Sequence, residues 1–169
     1  MSVQHPSFIN PDEGKGWNLT MLPQLADVPW WQRPFKNRRL YEFDLNPDTP
    51  LTYHDHNGLF WQPDRHYITD LGSVPALVQW LPYPRISKDG TFVLPFLIHD
   101  SAYQAPEDGG RGLYVSELFQ GPYRWRPMTR LEADRMLEQM VRAVGGRCVE
   151  SALIYRAVRM FGPRWRGMT

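Results

Sequence analysis

The sequence predicts an α+β fold, with a small antiparallel sheet and hairpins in the N-terminal half and three to four helices in the C-terminal half. Three observations carry this prediction. Short alternating apolar and polar runs bounded by turn residues fill 38–70. After Asp70 the chain changes character, and capped, helically spaced segments take over. The 16 prolines cluster before residue 128, which leaves the last quarter open to long helices. With 169 residues, 42% of them apolar and 22% charged, the chain can bury a core and is read as a single domain over 1–169.

Residues 1–37 hold Pro6, Pro11, Pro23, Pro29 and Pro34 among scattered aromatics and are read as an extended, Pro- and aromatic-rich arm. Trp30, Trp31 and Phe35 would pack against the body or grip a neighbouring subunit. In the strand region 38–70, Leu40-Tyr41-Glu42-Phe43 alternates. Leu51 to His54 and Leu59 to Gln62 flank His56-Asn57-Gly58, and Asn-Gly is a strong hairpin signal. Tyr67-Ile68-Thr69 forms a last strand ending at Asp70.

The helical part, 71–169, opens with Asp70-Leu71-Gly72-Ser73-Val74-Pro75, a tight turn leading into a short helix over Ala76 to Leu81. A second helix spans Pro95 to Gln104, and 105–127 reads as an irregular loop with a short strand at Leu113 to Val115. Thr129-Arg130-Leu131-Glu132 is a capping box that starts a helix running to Val144 and stopped by Gly145-Gly146. A last helix covers Cys148 to Phe161.

Composition excludes several classes. A net charge of +1 provides no global field for nucleic acid. The basic residues Arg156, Arg159, Arg164 and Arg166 are accounted for by a solvated helix face or by an anion site. A single cysteine, Cys148, forbids an intramolecular disulfide and argues against a cysteine-based zinc site, as expected of a reducing compartment. The N-terminus MSVQHPSF lacks the pattern of a signal peptide, and no apolar run approaches the roughly 20 residues of a membrane span.

The chemistry concentrates at His99-Asp100-Ser101-Ala102-Tyr103 and Arg130-Leu131-Glu132-Ala133-Asp134. Phe96, His99 and Tyr103 share one helix face, with Asp100 one step around. Leu131, Asp134, Glu138 and Val141 form a stripe on the following helix, flanked by Leu137. If the two helices pack antiparallel, Asp134 meets His99 and Tyr103. A carboxylate on one imidazole nitrogen fixes the tautomer and leaves the other nitrogen basic, an arrangement able to deprotonate water. Asp100, pointing elsewhere, would hold a hard cation such as calcium (Ca2+), with Asp70 to Ser73 as the nearby loop.

Two resemblances follow from these motifs. Thr69-Asp70-Leu71-Gly72-Ser73-Val74-Pro75, His99-Asp100-x-x-Tyr103, Arg130-x-x-Ala133-Asp134 and Tyr155-Arg156-Ala157-Val158-Arg159 with Phe161-Gly162 and Trp165 resemble a family of small phage and prophage proteins of unknown function. The likeness covers about residues 59–165 and implies phage origin. The central pattern is also similar to phospholipase A2-type proteins over about 40 residues. That resemblance implies His99 as general base, Asp100 as calcium ligand, and Tyr103 with Asp134 as the orienting pair. The glycine-rich calcium loop of those proteins has no clear counterpart just ahead of the helix.

The residues also admit plainer readings. The His99, Asp100, Tyr103 and Asp134 cluster could be a satisfied polar network pinning two helices together. Asp70 and Ser73 serve equally as turn and cap residues. His54 and His56 flank a hairpin turn and are expected exposed; His54-Asp55-His56 could catch a transition metal, but adjacent residues on a strand point to opposite faces, which weakens that reading. Cys148 reads as a small core residue, and Arg130 as an ion-pair or helix-end contact. Two functions therefore stand side by side, and the question of an enzyme stays open. One is a phage-encoded hydrolase whose His99 activates water against an ester of host envelope lipid during entry or exit. The other is a non-catalytic tail- or head-associated virion or assembly protein that contacts other phage structural proteins. Either is expected in the host cytoplasm when synthesised, with incorporation into the virion as the later location.

Overall fold

The computed structural model describes residues 5–22, 40–69, 90, 92–104 and 111–161. Within them the chain forms eight strands and three helices, an α+β fold as predicted. In order these are β1 (Ser7–Ile9), β2 (Trp17–Met21), β3 (Tyr41–Leu45), β4 (Thr52–His54), β5 (Phe60–Gln62), β6 (His66–Thr69), α1 (Val93–Tyr103), β7 (Gly112–Ser116), β8 (Arg124–Pro127), α2 (Arg130–Ala143) and α3 (Cys148–Phe161).

Two antiparallel sheets result. One has five strands in the order β1-β4-β5-β7-β8, and the other has three in the order β2-β3-β6. Side chains alternate as the pleat demands: Tyr41 and Phe43 of β3 face inward with Tyr67 and Thr69 of β6, while Asp44, His66 and Ile68 face out. Two strands occupy the stretch expected to be an arm. Trp17-Asn18-Leu19-Thr20-Met21 is proline-free and alternates, and it pairs along its length with β3. Strand β8 lies in the stretch expected to be an irregular loop and pairs with β7.

The β4–β5 hairpin is organised by Asp55. Its Oδ1 accepts from the backbone N–H of Asn57 (2.8 Å) and Leu59 (2.9 Å), and its Oδ2 accepts from Trp61 Nε1 (2.9 Å). Gly58 takes a φ of +83°, which an L side chain rarely adopts. His54 is buried rather than exposed, because β4 runs between β1 and β5 and its ring stacks on Phe60.

Helix α1 carries Pro95 in its first turn, where the missing N–H breaks no helical bond. Helix α2 begins with the predicted capping box, with Thr129 accepting from the Glu132 amide and Glu132 reaching back. It ends as a Schellman motif: Gly145 has φ +86°, Gly146 N–H donates to Val141 C=O and Gly145 N–H to Arg142 C=O. Its buried arc centres on Leu137, with Ala133, Asp134, Met136, Met140 and Val141. Leu131 falls outside that arc and is exposed, against the expected stripe. Cys148 sits in the first turn of α3 and is exposed rather than core.

The core draws on both sheets and all three helices, with Phe43, Tyr53, Leu113, Phe96, Leu97, Ile98, Leu137, Met140 and Val158 among its members. Helix α2 packs on α1 on one side and α3 on the other, and α1 lies against β6 and β7. Among the described residues no helix is long and apolar enough to cross a membrane. The expected helix over 76–81, the Asp70–Ser73 turn, Trp30, Trp31, Phe35, Arg164 and Arg166 lie outside the described residues.

Candidate functional site

Helices α1 and α2 bring the predicted residues together. Asp134 is fully buried (0% exposed), and a bare carboxylate there would be costly. It is satisfied by hydrogen-bond donors from α1 and α3, with an ion pair from α2 itself. Its Oδ1 accepts from His99 Nε2 at 3.0 Å and from the Tyr103 hydroxyl. Its Oδ2 accepts from Arg159 Nη1 at 3.0 Å and lies 3.7 Å from Arg130 Nε. Because an ionised carboxylate only accepts, His99 Nε2 must carry its proton toward Asp134. The other nitrogen, Nδ1, is then the lone-pair nitrogen of neutral His99 and lies 3.8 Å from Asp100 Oδ1.

Helical spacing makes this possible. His99 and Tyr103 stand one turn apart on α1, and their rings touch with centroids 4.4 Å apart. Tyr103 reaches Asp134 and receives Arg130 Nε at 3.3 Å, while His99 meets Asp134 alone, so the two helices run past one another in opposite senses. Asp100 turns toward the three-stranded sheet: its Oδ2 accepts from Thr69 Oγ1 at 2.5 Å. Next to it, Ser101 Oγ accepts from the Asp64 N–H and Tyr67 donates its hydroxyl to the Leu97 carbonyl.

The electrostatics follow from these contacts. Burial alone would push the His99 imidazole down, but the carboxylates of Asp100 and Asp134 together outweigh it and hold His99 above the ordinary imidazole value. Burial would push Asp134 up; donors from His99, Tyr103 and Arg159 overcome this and hold its carboxyl below the usual range. Burial and the Asp134 bond raise the Tyr103 hydroxyl well above its ordinary value, so it stays a donor at neutral pH.

Not every predicted residue joins the cluster. Asp70, the second expected cation ligand, lies outside the described residues. Among the described residues no group of three or more His, Cys, Asp or Glu is placed to hold a metal ion. Asp100 has one oxygen turned to Thr69 and the other toward His99, so this carboxylate is set for hydrogen bonding rather than standing open to a cation. His66, on β6, is exposed and paired with Asp44 (2.8 Å) and Glu42 (3.4 Å). Arg130 makes both contacts expected of it, an ion pair with Asp134 and hydrogen bonds to the Val158 and Arg159 carbonyls at 2.7 and 3.0 Å. Two site residues escape sequence reasoning. Arg159 reads as a solvated face or an anion site yet turns inward to Asp134, and Thr69 reads as the end of a strand and the first residue of a family motif, neither of which points to Asp100. Two surface grooves bordered by described residues, one containing Arg124 and Glu117 and the other His5 and His56, are not lined by His99, Asp100, Tyr103 or Asp134.

Comparison with known proteins gives one match. A family described as "protein of unknown function (DUF1353)" matches residues 46–158, more than half of the chain and the whole stretch that holds His99, Asp100, Tyr103, Arg130 and Asp134. No curated protein and no solved structure matches the chain.

Proposed function

The chain belongs to the DUF1353 family, and for it we propose a phage-encoded hydrolase in which His99 activates water against an ester of lipid-like character in the host envelope. One observation carries this reading: Asp134 takes the proton-bearing Nε2 of His99 at 3.0 Å, which leaves Nδ1 as the basic nitrogen. In the reaction a water proton passes to Nδ1 as the water oxygen bonds to the ester carbonyl carbon. The tetrahedral intermediate collapses with cleavage of the carbon–oxygen bond, and the leaving alkoxide takes the proton back. Asp134 stabilises the transient imidazolium, and Tyr103 keeps the carboxylate in place. Calcium is the cofactor the phospholipase likeness implies, but Asp100 is turned to Thr69 and His99, so no step is routed through a cation.

A second reading is favoured by burial. His99 is only 5% exposed and Asp134 0%, as expected for a polar staple joining helices in a virion or assembly protein whose partners are other phage structural proteins.

Both readings meet the same experiment: fatty-acid release from mixed phospholipid vesicles, with and without calcium, for wild type and His99→Ala, alongside thermal melting. The hydrolase reading expects wild-type release that His99→Ala lowers by about 10²-fold or more while still folded at the assay temperature. An inactive wild type with a markedly less stable His99→Ala supports the staple.

A further inference from the structure

Asp134 presents two oxygens with separate duties. Oδ1 serves His99 and Tyr103, both from α1, and Oδ2 serves Arg159 from the last turns of α3. That turn is itself held. Arg130, one helical turn before Asp134 on α2, donates through Nη2 to the carbonyls of Val158 and Arg159 in the last turn of α3. Arg130 therefore fixes the stretch of backbone from which Arg159 reaches back to Asp134.

We propose that Arg159 is a positioning residue of this site: it anchors Oδ2 of Asp134 so that Oδ1 stays turned to Nε2 of His99. This builds on the reading of His99 as the working group and adds a residue that touches neither His99 nor a substrate position. The chemistry suits arginine. A guanidinium is always charged and carries its donors on a rigid plane, and one of them, Nη1, reaches Oδ2 at 3.0 Å. Its stem lies along the protein surface, with the side chain 35% exposed, while its head meets a carboxylate that is fully buried. The two oxygens of an ionised carboxylate are equivalent, so what Arg159 adds is orientation: both α1 donors fall on one oxygen and the α3 donor on the other, which holds the group against turning away from the imidazole.

The test reads the imidazole directly. The full-length protein is labelled with 15N-histidine, and the His99 tautomer is recorded by long-range 1H–15N spectra at about pH 9, above the ordinary imidazole pKa of about 6.5. Wild type should show the Nε2–H form. Arg159→Met keeps an apolar stem and removes the fork, and it should raise the Nδ1–H share several-fold. Arg159→Lys restores the charge as a point without the plane and should fall between the two. A folded Arg159→Met protein with the wild-type tautomer overturns the proposal. If that variant melts below the measuring temperature, Arg159→Lys decides, and a wild-type tautomer there overturns it equally. The measurement needs no substrate, so it separates this proposal from the hydrolase reading. A tautomer shift in a protein that releases no fatty acid leaves Arg159 as the positioning residue and removes the hydrolase. Where wild type is active, Arg159→Met should lower kcat with KM unchanged.

Discussion

Thr69, the last residue of β6, donates its hydroxyl to Oδ2 of Asp100 on α1, 2.5 Å away. This bond joins the three-stranded sheet to the helix that carries His99, and it turns the Asp100 carboxylate toward the sheet. Thr69→Val keeps the shape and removes the donor. It should lower unfolding stability by about 1.5 kcal/mol, the lower end for a hydrogen bond to a charged acceptor. Urea unfolding checks this, and an unchanged midpoint would show that the bond contributes nothing.

Asp134→Asn replaces the shared acceptor by an amide, which accepts through one oxygen only and leaves buried donors facing an NH2 group. Removing one side of a buried charge network costs about 3–5 kcal/mol. The corresponding drop in Tm is roughly 10 °C for a chain of this size. Differential scanning calorimetry measures it. A loss below about 1 kcal/mol, well short of that range, would refute the view that Asp134 organises three helices.

Stability should depend on pH with opposite signs at the two ends. Asp134 is held below the usual aspartate value, so its contribution is present above about pH 4 and lost as pH falls through its folded value. His99 is held above the ordinary value, so its contribution is full below about pH 6.5 and lost as pH rises through its folded value. His66, bonded to Asp44, is raised as well, and the comparison is therefore made in a His66→Gln background. In that background, chemical unfolding at a series of pH values should show a decline above neutrality that His99→Gln abolishes. A curve the two proteins share would locate the alkaline limb elsewhere.

Asp55→Ala should damage the sheet without touching the candidate site. Asp55 is 4% exposed and holds two backbone amides and the Trp61 indole in one hairpin. Leaving these donors unmet should cost at least about 2 kcal/mol. Equilibrium unfolding supplies the number, and Trp61 fluorescence, read in the same samples, should shift in the folded state.

The sequence exposes features whose signals are local. The Thr129–Glu132 capping box, the Gly145–Gly146 stop and the Asn57–Gly58 turn each depend on residues a few positions apart, and each appears where its pattern places it. The meeting of His99 and Tyr103 with Asp134 was legible for a related reason, since spacing of three and four residues defines a helix face. Strands β1 and β2 were hidden because their partners are distant: Ser7 lies opposite His54 and Met21 opposite Tyr41. Three-residue β1, set between prolines, has little signal of its own, β2 alternates but sits in a stretch whose prolines read as an arm, and β8 with Arg-Trp-Arg lacks an apolar face. His54 turned inward because of its place in the strand order, which the local pattern does not contain. Arg159 was hidden by its length, because a long basic side chain on a helix flank reads as solvated until a buried acid is placed beneath it.

Asp134 lies 35 residues from His99, 31 from Tyr103 and 25 ahead of Arg159. During synthesis its α1 donors emerge first and its α3 guanidinium last. A nascent chain that has released α2 but not α3 therefore holds a carboxylate with only part of its charge balanced. Each closure of a loop must be met before the contact rewards it, so the network is complete only once α3 is in place. The three helices gain their common acceptor only when the last of them docks, which makes the order of assembly a property written into the positions of four side chains.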